Sequence, residues 1–335
     1  MIMATGDKVI VVSDRDPGLP YSKGLRASEL IVSGLSPFRA YQVAEEVEDR
    51  LRQRRVASVT REELDELTVD VLSDLAGERY ATNFLRWQEV ARLDMPLVVL
   101  IGGATGVGKS TLATQLAVRL GIVRVVATDS VREVMRALFT SELMPTLYTS
   151  SFEADTALRE PPPRSLDRVI VGFREQTSAV AVGIHALVER AAVEGTSVII
   201  EGAHAVPGFF DLSPYQGKVL AVPVVITVED EDLHRSHFVV RSMDASSRPL
   251  ERYQRGFANI RRVQKYIKSQ ALSHNVPVIP NYSLDQALSA IIDLVVEKAS
   301  AAVRQSAKAR HPVKREPEAT KRLQQVEPQR DHHPV

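Results

Sequence analysis

The sequence predicts an α/β protein, in which a parallel sheet covered by helices on both faces follows a small, mainly helical N-terminal domain. Two observations predict the sheet. Apolar runs alternate with helical patterns from about residue 96 to 300, and a glycine-rich turn joins the first run, LVVLIG, to an amphipathic segment. Continuous apolar runs between helices are typical of strands buried on both faces. Helical periodicity dominates the residues before them.

The order of the elements predicts three regions. Residues 1–93 form the helical domain, residues 94–300 the sheet domain and residues 301–335 a tail that is polar, proline-bearing and therefore disordered. In the first region KVIVVSD reads as a strand, Ser36 precedes Pro37 as the N-cap of a helix, and Thr60 with Glu63 forms a capping box. The strands of the sheet domain are LVVLIG, VRVVAT, SVIIEG, AVPVVITV and VPVIPN.

The composition bounds the class of function. The chain has 335 residues, no cysteine and equal numbers of basic and acidic residues. A zero net charge argues against a nucleic-acid or membrane partner, and the lack of cysteine excludes disulfides and thiol nucleophiles. The N-terminus lacks the layout of a signal peptide, and no apolar stretch approaches the roughly 18 residues of a membrane span. We therefore expect a soluble cytoplasmic protein.

The glycine-rich turn matches G-x-x-x-x-G-K-[ST], the phosphate-binding P-loop. Glycines allow backbone N–H groups to converge on an anion, and the following helix directs its positive end there. Lys109 adds a charge for the β- and γ-phosphates, and Ser110 offers a hydroxyl to Mg²⁺. ATP with Mg²⁺, or another divalent cation, is the predicted ligand. The predicted nucleotide-binding residues are Gly103, Ala104, Thr105, Gly106, Val107, Gly108, Lys109, Ser110 and Thr111.

The ends of the other strands supply candidate catalytic groups, because ligands of parallel sheets bind at the carboxyl ends of the strands. Asp129 ends the second strand, where it could contact Mg²⁺-bound water or accept the proton of an acceptor hydroxyl; the alternative is a helix N-cap. Arg132 and Arg136, one helical turn apart, are candidates to hold an anionic acceptor.

The third strand, VIIEG, ends in a carboxylate. Glu201 fits a role in organising Mg²⁺, so Ser110, Asp129 and Glu201 are the predicted metal site. His204 follows as a possible hydrogen-bonding partner of the acceptor, with a structural loop histidine as the alternative.

An arginine-rich segment follows the fourth strand. Arg235 and Arg241 are predicted to close over the transferring phosphate from a mobile lid, and with Lys109 and Asp129 they complete the predicted catalytic set. The alternative for any one arginine is a solvated helix face. His234 and His237 are interpreted as incidental. No guanine-reading N-K-x-D motif occurs, which weighs against a GTPase.

Several segments together resemble the 2-phosphoglycerate kinase family. They are IGGATGVGKSTLA, TDSVREVMR, PTLYTSSF, EGAHAVPG and HRSHFVVRS, and the likeness spans about residues 8–298. The resemblance implies transfer of the γ-phosphoryl group of ATP to 2-phosphoglycerate, giving 2,3-bisphosphoglycerate. The partner would be a small phosphorylated acid. Candidate acceptor-binding residues are Arg132, Arg136, Tyr148, Thr149, Ser150 and His204.

The first region resembles the ATP-cone-like N-terminal unit of the same family. The likeness implies a nucleotide-binding or allosteric unit with Lys23 and Arg26 near a small-residue turn. The alternative is a domain that only packs against the kinase unit.

Two other functions remain open from the sequence. One is a P-loop kinase of a different phosphorylated acid or sugar, which the acceptor pocket between residues 130 and 165 would decide. The other is a non-enzymatic, ATP-responsive regulatory protein, against which the joint presence of Lys109, Asp129 and Glu201 argues.

Overall fold

The computed structural model describes residues 10–13, 18–91, 95–244 and 250–310. Short strands and four helices form its N-terminal part. The strands are β1 (Val11–Val12), β2 (Leu19–Pro20) and β3 (Ser58–Val59). The helices are α1 (Lys23–Ile31), α2 (Pro37–Gln53), α3 (Arg61–Leu75) and α4 (Glu78–Ala91). Strand β1 pairs antiparallel with β2 and parallel with β3.

Local capping signals set the starts of these helices. The Ser36 hydroxyl accepts the N–H of Arg39, and Thr60 and Glu63 form the reciprocal hydrogen bonds of a capping box, as the sequence predicts. The four helices enclose a hydrophobic core of their own. Its fully buried members include Leu30, Val47, Leu51, Val71 and Leu72. Most apolar residues of this part of the chain thus pack among themselves, while Val32 and Val90 join the core of the sheet domain.

Five parallel strands form the main sheet. In chain order they are β4 (Leu97–Gly102), β5 (Val125–Ala127), β6 (Val198–Gly202), β7 (Leu220–Thr227) and β8 (Val278–Pro280). Across the sheet the order is β5-β6-β4-β7-β8, so the strand that leads into the glycine-rich turn lies at the centre. All five predicted strands are present, and the predicted fold class, a P-loop α/β sheet after a mainly helical N-terminal part, is confirmed.

Helices cover both faces of this sheet. They are α5 (Lys109–Leu120), α6 (Thr128–Leu138), α7 (Arg168–Glu194), α8 (Glu231–Asp244), α9 (Leu250–Ser273) and α10 (Leu284–Arg310). Alternate residues of β4 point to opposite faces of the sheet. Val99 and Ile101 pack in the core with α5, α9 and α10, whereas Val98 and Leu100 pack against α7. Among the helices that the structure describes, none combines the length with the apolar character that a membrane-spanning segment requires.

Helix α10 continues through the boundary that the sequence suggested at residue 300 and ends at Arg310. The reason is packing, because Ala299 is fully buried and Ala302 lies partly buried against the main core. Helix α10 also contacts α4 and so connects the two parts of the chain. Residues 311–335 of the predicted tail lie outside the described residues.

Candidate active site

The P-loop connects the central strand to helix α5 and exposes backbone rather than side chains. Gly103 and Gly106 have φ of +146° and +87°, and Gly108 is the N-cap of α5 at +89°. Added Cβ atoms would lie 2.4 Å from the Ile226 carbonyl oxygen at Gly103 and 2.4 Å from the Phe238 ring at Gly106. The side chains of the loop residues Ala104 and Val107 are fully buried. The loop is therefore shaped to present N–H groups, which suits an anion.

Lys109 and Ser110 begin helix α5 beside this loop. The buried Lys109 ammonium donates to the Ala104 carbonyl at 2.8 Å. The Ser110 hydroxyl donates to Glu201 Oε1 at 2.8 Å, although 91 residues separate the two in sequence. Parallel pairing of β4 with β6 accounts for this contact, because it sets Glu201 opposite Ile101 at the same sheet edge. A hydroxyl and a carboxylate predicted to hold a metal are thus adjacent.

A cleft of about 300 Å³ opens next to the P-loop. Its lining includes these members of the predicted site: Thr105, Lys109, Ser110, Asp129, Arg132, Ser150 and Glu201. Most of them lie at or shortly after the carboxyl ends of β4, β5 and β6, and Ser150 belongs to the loop after α6. The cleft therefore combines hydroxyls and carboxylates with the cationic groups of a lysine and an arginine.

Asp129 lies in the first turn of α6 and not at its cap. The N-cap is Ala127, so the capping role considered for Asp129 is not the one it has here. Its carboxylate is 68% exposed, and Arg132 Nη2 lies 3.8 Å from Oδ1. Arg132 itself is mostly buried and also donates to the Thr149 carbonyl. The two side chains offer opposite charges to the same cleft.

Three other predicted acceptor-binding residues make contacts within α6 and the loop that follows it. The Arg136 guanidinium lies 4.8 Å from the Tyr148 ring centroid and pairs with Glu133. The Tyr148 hydroxyl donates to the carbonyls of Arg136 and Phe139. The Thr149 hydroxyl donates to the Thr146 carbonyl. Among the described residues that line the cleft, Arg136, Tyr148 and Thr149 are not present.

His204 is fully buried behind the cleft rather than in it. Its Nδ1 lies 3.0 Å from the Thr128 hydroxyl and its Nε2 2.9 Å from Gln176 Oε1. Gln176 donates its own N–H groups to the carbonyls of Thr146 and Thr149. Burial lowers the pKa of His204 well below its usual value. Both ring nitrogens are occupied, so a direct bond from His204 to an acceptor does not fit this geometry.

Of the two predicted lid arginines, Arg235 lies on α8 with its guanidinium 3.7 Å from the centroid of the Phe257 ring. It is exposed, and it is not among the described residues that line the cleft. Arg241 also belongs to α8, but its side chain lies outside the described residues. Closure of either arginine over a phosphate remains a prediction.

Two histidines that the sequence did not single out contact the P-loop, and one member of the arginine-rich segment other than Arg235 and Arg241 lines the cleft. His234 and His237, interpreted as incidental, contact the carbonyls of Thr105 and Gly106 in the P-loop, each at 2.9 Å. Their spacing of three on a helix, which places both on one face, is the signal that would have found them. Arg252 on α9 lines the cleft and bonds to Ser150 and Glu153, but within a run of arginines nothing local distinguishes it.

Relatives match the chain over most of its length and most of their own. A 2-phosphoglycerate kinase of Methanothermobacter thermautotrophicus is 40% identical over 293 residues, covering 87% of this chain and 94% of that one. One of Thermococcus kodakarensis is 39% identical over 290 residues, covering 87% and 97%. The chain belongs to the 2-phosphoglycerate kinase family. It is an ATP-dependent phosphotransferase, and the sequence resemblance is confirmed.

Other comparisons are more distant. No protein-family model matches the chain. A gluconokinase of Sinorhizobium meliloti covers 65% of this chain and 99% of its own, at a TM-score of 0.36 and 11% identity. So remote a likeness carries no argument about function.

In this kinase the two basic residues suggested for a nucleotide site in the N-terminal part already have acidic partners. Arg26 is buried and donates to Asp65 and Glu29, with its guanidinium 5.0 Å from the Phe84 ring centroid. Lys23 pairs with Glu48 at 3.2 Å, a contact that raises its pKa. Both cations lie on α1 and pair it with neighbouring helices, Lys23 with α2 and Arg26 with α3.

Proposed function

We propose that this kinase transfers the γ-phosphoryl group of ATP to the free hydroxyl of 2-phosphoglycerate, giving 2,3-bisphosphoglycerate and ADP. The observation that carries the proposal is the pair Arg132 and Arg252, which line the cleft beside the P-loop from different helices. An acceptor with a phosphate and a carboxylate needs at least two cationic groups, and arginine offers paired donors to both. The names of the relatives support the same substrate.

Different residues of the chain would bind the nucleotide, accept the proton, orient the acceptor and exclude water. The N–H groups of residues 103–110 and Lys109 would bind the triphosphate. Asp129 would accept the proton of the attacking hydroxyl while that oxygen bonds to the γ-phosphorus and ADP leaves. Arg132, Arg252 and Ser150 would orient the acceptor. Closure by Arg235 and Arg241 would exclude water.

The donors near Ser110 fit Mg²⁺. A hydroxyl and two carboxylates are hard oxygen ligands, and Ser110 already contacts Glu201. No three histidines or carboxylates within the described residues form a self-sufficient metal cluster. That suits Mg²⁺, which keeps waters and substrate phosphates among its ligands. Bound there, it would neutralise charge that develops on the transferred phosphoryl group; Ser110 would bind it directly, with Asp129 and Glu201 holding its waters.

We also propose that residues 1–93, of which 10–13 and 18–91 are described, act as a positioning domain rather than a second nucleotide site. The engagement of Lys23 and Arg26 by carboxylates supports this role. Calorimetric titration with ATP should then give one site per chain, and Lys109→Ala should remove it. Residual binding in that variant would favour a nucleotide site in the N-terminal domain.

The test of the reaction is ADP release by purified protein with ATP and Mg²⁺. We expect strong release with 2-phosphoglycerate and little with 3-phosphoglycerate, glycerate or no acceptor, with 2,3-bisphosphoglycerate identified by phosphorus NMR. Lys109→Ala is the control for contaminating kinases. Faster release with another phosphorylated acid or sugar would replace the substrate. ATP binding without turnover on any acceptor would favour a regulatory protein.

A further inference from the structure

Side chains donate hydrogen bonds to the backbone carbonyls of the P-loop. Each of the four consecutive carbonyls of residues 104–107 accepts a hydrogen bond from a side chain. In order along the loop, the donors are Lys109, His234, His237 and Asn281. Only the first is part of the P-loop motif. The other three come from α8 and from the residue after β8, more than 120 residues away in sequence.

The environment of His234 determines which ring nitrogen carries the proton. Arg261 Nη1 lies 3.4 Å from Nδ1 of His234, and a guanidinium can only donate. Nδ1 is therefore the acceptor, and Nε2 carries the hydrogen that it donates to the Thr105 carbonyl. The ring is fully buried and stacks on Phe238 with a centroid separation of 5.4 Å. Its position and tautomer are thus both constrained.

His237 and Asn281 act on the next two carbonyls. His237 donates from Nδ1 to Gly106 at 2.9 Å, and Asn281 donates from Nδ2 to Val107 at 2.9 Å. A Cβ at Gly108 would lie 2.5 Å from Asn281 Nδ2, so a glycine there lets the amide approach. The loop is held at three successive peptide groups by side chains from outside the motif.

The geometry of the peptide bond explains how these contacts orient the N–H groups of the P-loop. In a trans peptide the C=O and the N–H of the next residue point in opposite directions. A carbonyl of Thr105 held toward α8 therefore directs the N–H of Gly106 to the other side of the loop. The same holds for Gly106 and the N–H of Val107. Amides fixed in this way do not have to be reoriented when an anion binds.

We propose that His234 and His237 are positioning residues that hold the P-loop amides in the arrangement that binds the triphosphate. They touch neither substrate, and they act through the carbonyls of Thr105 and Gly106. The inference rests on the proposed use of ATP but not on the identity of the acceptor. Loss of either donor should weaken nucleotide binding and leave the KM for the acceptor at saturating ATP unchanged.

Paired amide variants test placement of the donor separately from loss of the ring. Glutamine sets its amide nitrogen near the position of a histidine Nε2, and asparagine sets it near Nδ1. His234→Gln and His237→Asn therefore keep the donor, whereas His234→Asn and His237→Gln misplace it. His185→Asn is the matched control, since His185 accepts the N–H of Asp211 far from the loop in sequence.

The readout is the Kd for a non-hydrolysable β,γ-imido analogue of ATP with Mg²⁺, measured by calorimetry on each full-length variant. We expect the misplaced variants to raise the Kd roughly 10-fold, and the donor-keeping variants and His185→Asn to stay within about 3-fold of the wild type. Thermal unfolding without nucleotide checks that each variant is folded. If a variant of one histidine fails to fold, the pair of amide variants at the other histidine still tests the inference.

Three results would overturn the inference alone: misplaced variants that bind the analogue as well as the wild type, donor-keeping variants that lose as much affinity as their misplaced counterparts, or a Kd change accompanied by an equal change in the acceptor KM. Wild-type protein that binds no nucleotide would instead overturn the proposed function together with this inference. A Kd change accompanied by an equal change in the acceptor KM would show that the histidines act on the whole fold.

Discussion

At the scale of single residues, Asp129 is the group on which the proposed chemistry depends most. It is exposed to the cleft, and the oppositely charged Arg132 lies 3.8 Å away. Asp129→Asn should lower kcat by roughly 100-fold or more, because general-base catalysis commonly contributes that much. The Kd for ATP should hardly change. Steady-state kinetics and nucleotide titration of the same preparation check both parts, and near-normal turnover would exclude the base role.

Arg252 is the second residue with a specific expectation. Glu153 and Ser150 hold its guanidinium at the cleft, so an anionic acceptor would meet an arginine that is already oriented. Arg252→Gln should raise the KM for 2-phosphoglycerate roughly 10-fold or more, the value of a charge-assisted hydrogen bond, with the Kd for ATP unchanged.

Arg255→Gln provides the comparison for that substitution. Arg255 lies on the same helix and is also exposed, but it bonds to the Glu251 carbonyl of its own helix. Equal effects of the two substitutions on the acceptor KM would show that only the general positive charge of α9 matters.

At the scale of elements, the turn between β4 and α5 depends on glycine for two separable reasons. Gly106 of the P-loop and Gly121, the C-cap of α5, both have a positive φ, at 87° and 63°. An added Cβ would collide with Phe238 at Gly106 but would meet nothing within 4 Å at Gly121. Gly121→Ala should lower the free energy of unfolding by about 1–2 kcal/mol, the cost of a left-handed alanine.

Gly106→Ala should cost that amount and a further ~1–3 kcal/mol for overpacking, and it should also weaken nucleotide binding. Urea unfolding and nucleotide titration of both variants measure the difference. If Gly106→Ala bound nucleotide like Gly121→Ala, the close packing of α8 on the loop would not matter for binding.

At the scale of the whole molecule, buried neutral histidines make stability depend on pH. Burial lowers the pKa of His234 to about 4, and His204 is lowered in the same direction by the same cause. The unfolded chain therefore binds more protons than the folded chain between about pH 4 and 6.5. Stability should be fully present above about pH 6.5 and fall as the pH drops toward 4, by about 2 kcal/mol per histidine at pH 5.

A comparison with His234→Gln isolates one of these contributions. The variant has no titrating group at that position, so its loss of stability between pH 7 and pH 5 should be smaller than that of the wild type. Urea unfolding at the two pH values gives both numbers. Identical losses in the two proteins would mean that His234 is not held neutral in the folded state.

Features that depend on residues near each other along the chain were predictable from the sequence. Ser36 with Pro37 and Thr60 with Glu63 begin helices because capping bonds span only three residues. The P-loop was predictable for the same reason, since one short segment supplies its glycines, its lysine and its serine. The five strands followed from short, continuous apolar runs between helical patterns, which are typical of a sheet buried on both faces.

The packing of the helices determines which of many similar side chains reach the cleft. Arg132 lines the cleft, whereas Arg136, one turn later, packs on Tyr148 and pairs with Glu133, although the loop that follows α6 contacts both arginines. Likewise, His234 and Thr105 meet across 129 residues of sequence. Such contacts depend on how helices pack against a sheet, and that packing is a property of the assembled core that no local pattern records.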